Sequence, residues 1–157
     1  MKHIRSIIAA MAVAFGHRVA FANIAEGEHT NGCKSFLADA ATTARHLRYK
    51  MGSDSNHIAL AGAEAALGTS DDMAGAAEDA ISLRLNGANS GSRIGVGSAA
   101  IAANAYIVGA ASGKFQTLTG ITAGTYYVEG RAITACSGAD ANFGFVPCFP
   151  YPVTVSE

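Results

Sequence analysis

Ile81-Ser82-Leu83-Arg84-Leu85 alternates apolar and polar side chains without a break, and it is one of a series of such short runs. A period of two places every second side chain on the same face of an extended chain, so each run reads as a half-buried strand. Residues 46–51 (HLRYKM) alternate in the same way. Gly52-Ser53-Asp54-Ser55-Asn56 is turn chemistry, and residues 57–61 (HIALA) read as the returning strand of a hairpin. Further strands are expected at 93–96, 106–109, 114–118, 125–134 and 143–146, with a short one near 67–69 inside an Ala/Gly/Asp-rich loop over 62–79. Glycine-containing turns punctuate most of them, and no long helical segment intervenes. The chain is therefore expected to be all-β, a compact β-barrel or sandwich of short strands.

Three stretches depart from this texture. Residues 35–44 are Ala-rich and predict a short helix with Ser35 as its cap. The last segment, 147–155, carries Pro147, Pro150 and Pro152. Proline cannot donate to a sheet ladder, so a sheet edge or an extended Pro-rich tail is expected there. Residues 1–22 begin with Lys2, His3 and Arg5, continue as an apolar run and end in Ala20-Phe21-Ala22, the pattern of an export signal. Within them Ile4, Ile7, Ile8, Met11 and Phe15 follow the i, i+3, i+4, i+7 spacing of a helical stripe. We expect a retained arm, helical or extended, whose Ile4, Ile7, Ile8, Met11, Phe15 and Phe21 dock against protein. A polar linker over 23–32 follows it. The expected organisation is thus an arm and linker over 1–32 and a β-rich domain over 33–157.

Composition narrows the function classes. A net charge of −1 in 157 residues gives no field to attract nucleic acid or an anionic membrane. The first apolar run is too short to span a bilayer, and His17-Arg18 interrupt its continuation. Charged residues make up 15%, against roughly 25% in a typical soluble domain. So few charges suit a subunit that hides much of its surface in an assembly. Cys33, Cys136 and Cys148 are odd in number and lack metal-type spacing. They read as thiols of a reducing compartment, with a Cys136–Cys148 bridge as the alternative for an exported chain.

No motif assembles a catalytic centre. Gly109-Ala110-Ala111-Ser112-Gly113-Lys114 resembles a phosphate loop but has three residues between its glycines rather than four, and Phe115 where a hydroxyl should bind magnesium. Glu26, Glu28 and His29 lie together on the linker without a partnering ligand, and His3, His17, His46 and His57 have no metal-binding spacing. His46 and His57 are expected across the hairpin from one another in structural roles. Asp71, Asp72, Glu78 and Asp79 are the densest carboxylates and read as a solvated loop; a hydrolase would require them to converge on a concave site. The runs around Ser90 and Ser98 lack a nucleophile elbow. Tyr106, Tyr126, Tyr127, Phe143, Phe145 and Phe149 form an aromatic series at strand spacing, which suits core packing and subunit contact.

The order of segments carries a resemblance. Lys34-Ser35-Phe36-Leu37-Ala38-Asp39-Ala40-Ala41 leads into RHLRYKMGSDSNHIALAGA, then Leu67-Gly68-Thr69-Ser70-Asp71-Asp72 and Ala76-Ala77-Glu78-Asp79 before the Ile81 strand. Ala99-Ala100-Ile101-Ala102-Ala103, Tyr106-Ile107-Val108 and Ser112-Gly113-Lys114-Phe115 follow, and then Gly124, Gly130, Ala132 and Ala135 in the long strand. Over residues 23–155 the chain resembles a family of small bacteriophage head decoration, or cement, proteins. Its 137–146 segment lacks the acidic strand residues customary in that family. The resemblance implies a β-rich subunit, often trimeric, on the outer face of an icosahedral capsid. It implies the major capsid protein and further copies of itself as partners, and the virion as location after assembly in the host cytoplasm. Nucleic acid, membrane, metal, cofactor and catalysis have no part in it. The competing expectation is an exported bacterial surface or periplasmic binding module.

Overall fold

The computed structural model describes residues 32–88 and 91–156, and the chain over them is all-β. The expected arm residues, with Glu26, Glu28, His29, His3 and His17, lie outside the described residues.

The first half forms a closed five-stranded barrel in the order β1-β3-β2-β4-β5, from β1 (Cys33–Ala38), β2 (Arg48–Met51), β3 (His57–Leu60), β4 (Gly68–Ser70) and β5 (Ala80–Leu85). The β2–β3 hairpin is antiparallel as its turn chemistry requires, with Tyr49 opposite Leu60 and Met51 opposite Ile58. Phe36, Tyr49, Ile58, Ile81 and Leu83 fill the barrel, each no more than 3% exposed. Burial of each such side chain contributes about 1.5–3 kcal/mol.

The second half forms an open five-stranded sheet, order β6-β10-β9-β7-β8, from β6 (Arg93–Val96), β7 (Tyr106–Gly109), β8 (Phe115–Thr117), β9 (Gly124–Ala132) and β10 (Asn142–Val155). One face buries Phe115, Phe143 and Phe145, with ring centroids 4.9–5.9 Å apart, together with Ile107 and Ala132. Ile101 and Cys136, joined by an isolated bridge, complete this second core.

Two expectations need correction. Residues 35–44 are not a helix: Cys33–Ala38 is a strand, antiparallel to β5 and parallel to β3. Phe36 and Ala38 face the barrel interior, and the burial gained by pairing outweighs the helical preference of alanine. Residues 39–46 run on as bends and irregular chain. Nor do His46 and His57 face each other. Gly52 N–H donates to His57 O at the turn end of the hairpin, whereas His46 precedes β2 and contacts Asp71. The Pro-rich tail is the second half of the 14-residue β10. From Pro147 onward its only strand partner among the described residues is β9, which makes it a sheet edge there, and the register slips between Pro147 and Tyr151.

Two arginines brace the barrel against the sheet. Tyr49 points into the barrel, so Arg48, one residue earlier, projects from its outer surface. There it is fully buried beneath the second sheet. Its Nε and Nη2 donate to the two carboxylate oxygens of Glu129 on β9, at 2.9 and 2.5 Å. Nη1 donates to Gly62 O (2.7 Å) and Nη2 to Glu64 O (2.8 Å), while Glu129 Oε1 accepts the Ala66 N–H. The guanidinium carbon lies 5.3 Å from the Phe115 ring centroid. Arg93 reaches the other way, from β6 to the barrel: Nη1 donates to Arg84 O and Nη2 to Leu85 O, both at 2.8 Å. Burial lowers the Arg93 pKa below its usual value. A buried ion pair is stabilising only when its remaining hydrogen-bonding capacity is satisfied, and the carbonyls around Arg48 meet that condition.

Candidate interaction surface

The braces hold one sheet face inward and leave large apolar side chains exposed on the other. Side chains alternate along each strand, so the neighbours of core residues point out. On β10, Phe143 and Phe145 are buried while Val146 is 43% exposed; on β6, Ile94 lies outward between buried Arg93 and Gly95. Tyr106 at the start of β7, Ile133 just past β9, and Tyr151 near the end of β10 add to the same outer surface. Tyr106, Ile133, Val146, Cys148 and Tyr151 line an open groove of about 320 Å³. Its floor includes the Val128 and Gly130 backbone. Arg131 is its one charged lining residue; its Nε donates to Asn104 O at 2.9 Å and its guanidinium lies over the Tyr106 ring. A second depression lined by Ile94, Gly144, Arg84 and Asp71 meets the groove at Ile133. Soluble monomers rarely leave contiguous apolar surface of this kind uncovered unless it meets a partner.

The aromatic series divides across this sheet. Phe143 and Phe145 are core, Tyr106 belongs to the groove, and Phe149 is 75% exposed beside it. Tyr126 and Tyr127 are half-buried, and Tyr126 bonds to Thr122. Ile94, Ile133, Val146 and Tyr151 were not among the residues that the sequence singled out. The available signal is Phe145-Val146: two consecutive large apolar residues within one strand make both of its faces apolar.

Two of the four acidic residues share a cleft, and Asp71 and Glu78 lie apart from it. Asp71 bridges His46 Nδ1 (3.1 Å) and Arg84 Nη2 (2.5 Å), while Glu78 reaches His57 Nε2 at 3.1 Å. Asp72 and Asp79 share a polar cleft with Arg45, but each is engaged by backbone amides: Ser82 N–H on Asp72, Gly75 and Ala76 N–H on Asp79. Among the described residues no group of three or more His, Cys, Asp or Glu side chains is placed to hold a metal. The phosphate-loop look-alike is the turn between β7 and β8. Gly113 N–H donates to Ala61 O, and Lys114 Nζ pairs with Asp140 at 2.6 Å. The Ala110, Gly113 and Lys114 amides are spent within the fold and the lysine is held by a carboxylate, which is not the arrangement of a phosphate cradle.

Cys136 and Cys148 are not bridged. Cys136 is buried and donates to Gly138 O, and Cys148 donates to Val128 O at 3.6 Å. Burial pushes the Cys148 thiol above its usual pKa, which makes it a poor nucleophile at neutral pH.

No family model matches the chain, and no curated protein matches it.

Proposed function

We propose that this chain is a capsid cement subunit that binds the outer surface of a phage head and stabilises the shell. The observation that carries the reading is the set of large apolar side chains exposed on one face of the β6–β10 sheet, on a scaffold braced by buried arginines. Such a subunit does no chemistry. It needs a stiff body, a contact face with few charges, and several attachments made at once. The motif order described above supports the same reading. In it the partners are the major capsid protein and other copies of the chain, arranged as a closed homotrimer. The arm residues Ile4, Ile7, Ile8, Met11, Phe15 and Phe21 are the anchor to the shell. Simultaneous engagement of several arms would multiply individually weak contacts into high avidity. Heads assembled with and without the chain test this: loss of the chain should lower resistance to heat and osmotic shock, and unchanged shells would refute it.

A second reading is supported by Ala20-Phe21-Ala22 before Asn23: an exported binding module. Intact-mass measurement of the native protein separates the two. A mature terminus at Asn23 supports export, and an intact Met1 supports the cement reading.

A further inference from the structure

The described chain begins on the barrel, beside the end of β5. Gly32 O accepts the Leu85 N–H, and a Cβ on Gly32 would sit 2.7 Å from Ala88 O. Gly87, one residue before Ala88, lies under the Phe149 ring, where a Cβ would meet Cδ2 at 2.7 Å. Phe149 follows Cys148 and precedes Tyr151 by two residues, and both of these line the groove. Gly32, Ala88, Gly87 and Phe149 thus form a line of contacts from the start of the described chain to β10, the strand that carries the groove.

The chain preceding Gly32 has the composition and the length to fill the groove. Residues 6–16 carry no charge, and Ile4, Ile7, Ile8, Met11 and Phe15 form one stripe. As a helix, residues 4–15 would span about 18 Å. The apolar surface from Tyr151 to Gly144 along β10 is seven residue steps, about 23 Å of strand. Residues 16–31, fully extended, reach about 50 Å, so the linker does not limit the placement.

We infer that in the free subunit the stripe Ile4–Ile7–Ile8–Met11–Phe15 seats in the groove of its own chain, over Tyr106, Ile133, Val146 and Tyr151. Two apolar surfaces are then covered by each other in a chain with few charges to protect it from association. The inference concerns the subunit before assembly and stands apart from the cement reading, which is tested on shells.

Nitration of the full-length protein with tetranitromethane, followed site by site by mass spectrometry, tests the seating. Tyr106 and Tyr151 should react more slowly than half-buried Tyr126 in the wild-type chain. In the full-length Ile8→Asp/Phe15→Asp variant they should react several-fold faster, with Tyr126 unchanged. Equal rates in both proteins would overturn the inference. Disulfide trapping identifies the occupant. With Ile8→Cys and Val146→Cys introduced into a Cys33→Ser/Cys148→Ser background, dilute oxidation should give an intramolecular bond and a monomer. The control pair Ile8→Cys with Met51→Cys, on the barrel, should not form one. A covalent dimer would assign the groove to a second copy, and no bond at all would assign it to another partner; either result overturns the inference.

Discussion

Arg48 and Glu129, 81 residues apart in sequence, form a fully buried two-point ion pair between the outer wall of the barrel and the second sheet. Every further donor on Arg48 points at a carbonyl of the chain that follows the β2–β3 hairpin or of the turn before β8: Gly62 O, Glu64 O and Lys114 O. The pair thus fixes the orientation of the sheet whose outer face we read as the contact surface.

Breaking this pair should be costly, and breaking an exposed one should not. Glu129→Gln leaves a buried guanidinium without its carboxylate, and unfolding stability should fall by about 3–5 kcal/mol. Glu64 also pairs with a cation, Lys50 at 2.7 Å, which together with backbone amides holds its pKa down to about 2. Both side chains of that pair are more than two-fifths exposed, so Glu64→Gln should cost no more than about 1 kcal/mol after solvent screening. Urea unfolding of the two variants checks the contrast.

Gly109 is the position that admits the Arg48 side chain. A Cβ there would lie 2.3 Å from Nη2, a guanidinium that its hydrogen bonds prevent from moving aside. Gly109→Ala should therefore destabilise by about 1–3 kcal/mol through overpacking. Gly138 has open space around its Cα, and Gly138→Ala should be neutral or stabilise by about 0.4–1 kcal/mol. Thermal unfolding of the two alanine variants gives the comparison.

His57 ties the β2–β3 turn to the loop before β5, through Asp54 Oδ1 at 2.7 Å and Glu78 Oε1 at 3.1 Å. The hydrogen bond to Asp54, then that to Glu78, raises the His57 pKa above 6.5, and the His57 bond lowers that of Asp54 below 3.8. A raised folded-state imidazole pKa stabilises fully below the unfolded value of 6.5 and loses that contribution as pH rises through the folded value. The lowered Asp54 value acts in the opposite sense, and its contribution is lost as pH falls through the folded carboxylate value. The melting-temperature difference between wild type and His57→Gln should therefore be largest between these limits, near pH 5–6, and shrink toward pH 9. A difference that grows with rising pH would contradict the assignment.

The hairpin, β4, β5 and the strands of the second sheet were legible because period-two alternation and Gly-rich turns are local signals. The first strand was not. Alanine-rich sequence favours a helix locally, and only the distant partners Ile81 and Ile58 make Phe36 and Ala38 core residues. Arg48 shows the second limit. Alternation places it on the face opposite Tyr49, but nothing local says that a strand 81 residues later will cover that face with a carboxylate. The candidate surface was half legible for the same reason. Tyr106 stood out as an aromatic, whereas Ile94, Ile133 and Val146 look like core residues until the sheet leaves them outside.

If the arm anchors the subunit, Ile8→Asp or Phe15→Asp should release it from the assembled shell while unfolding of the β-domain is unchanged. Sedimentation of heads with bound protein, alongside a melting curve of the free variant, reads both effects. Variant protein that still co-sediments at wild-type occupancy would remove the arm as the anchor.

Cryo-electron microscopy of phage heads assembled without the chain, imaged before and after addition of the purified protein, tests the central claim most directly. The account predicts new β-rich density at symmetry-related positions on the outer shell surface, with the outer face of the β6–β10 sheet buried in a contact. Shells that stay bare at saturating protein would contradict it.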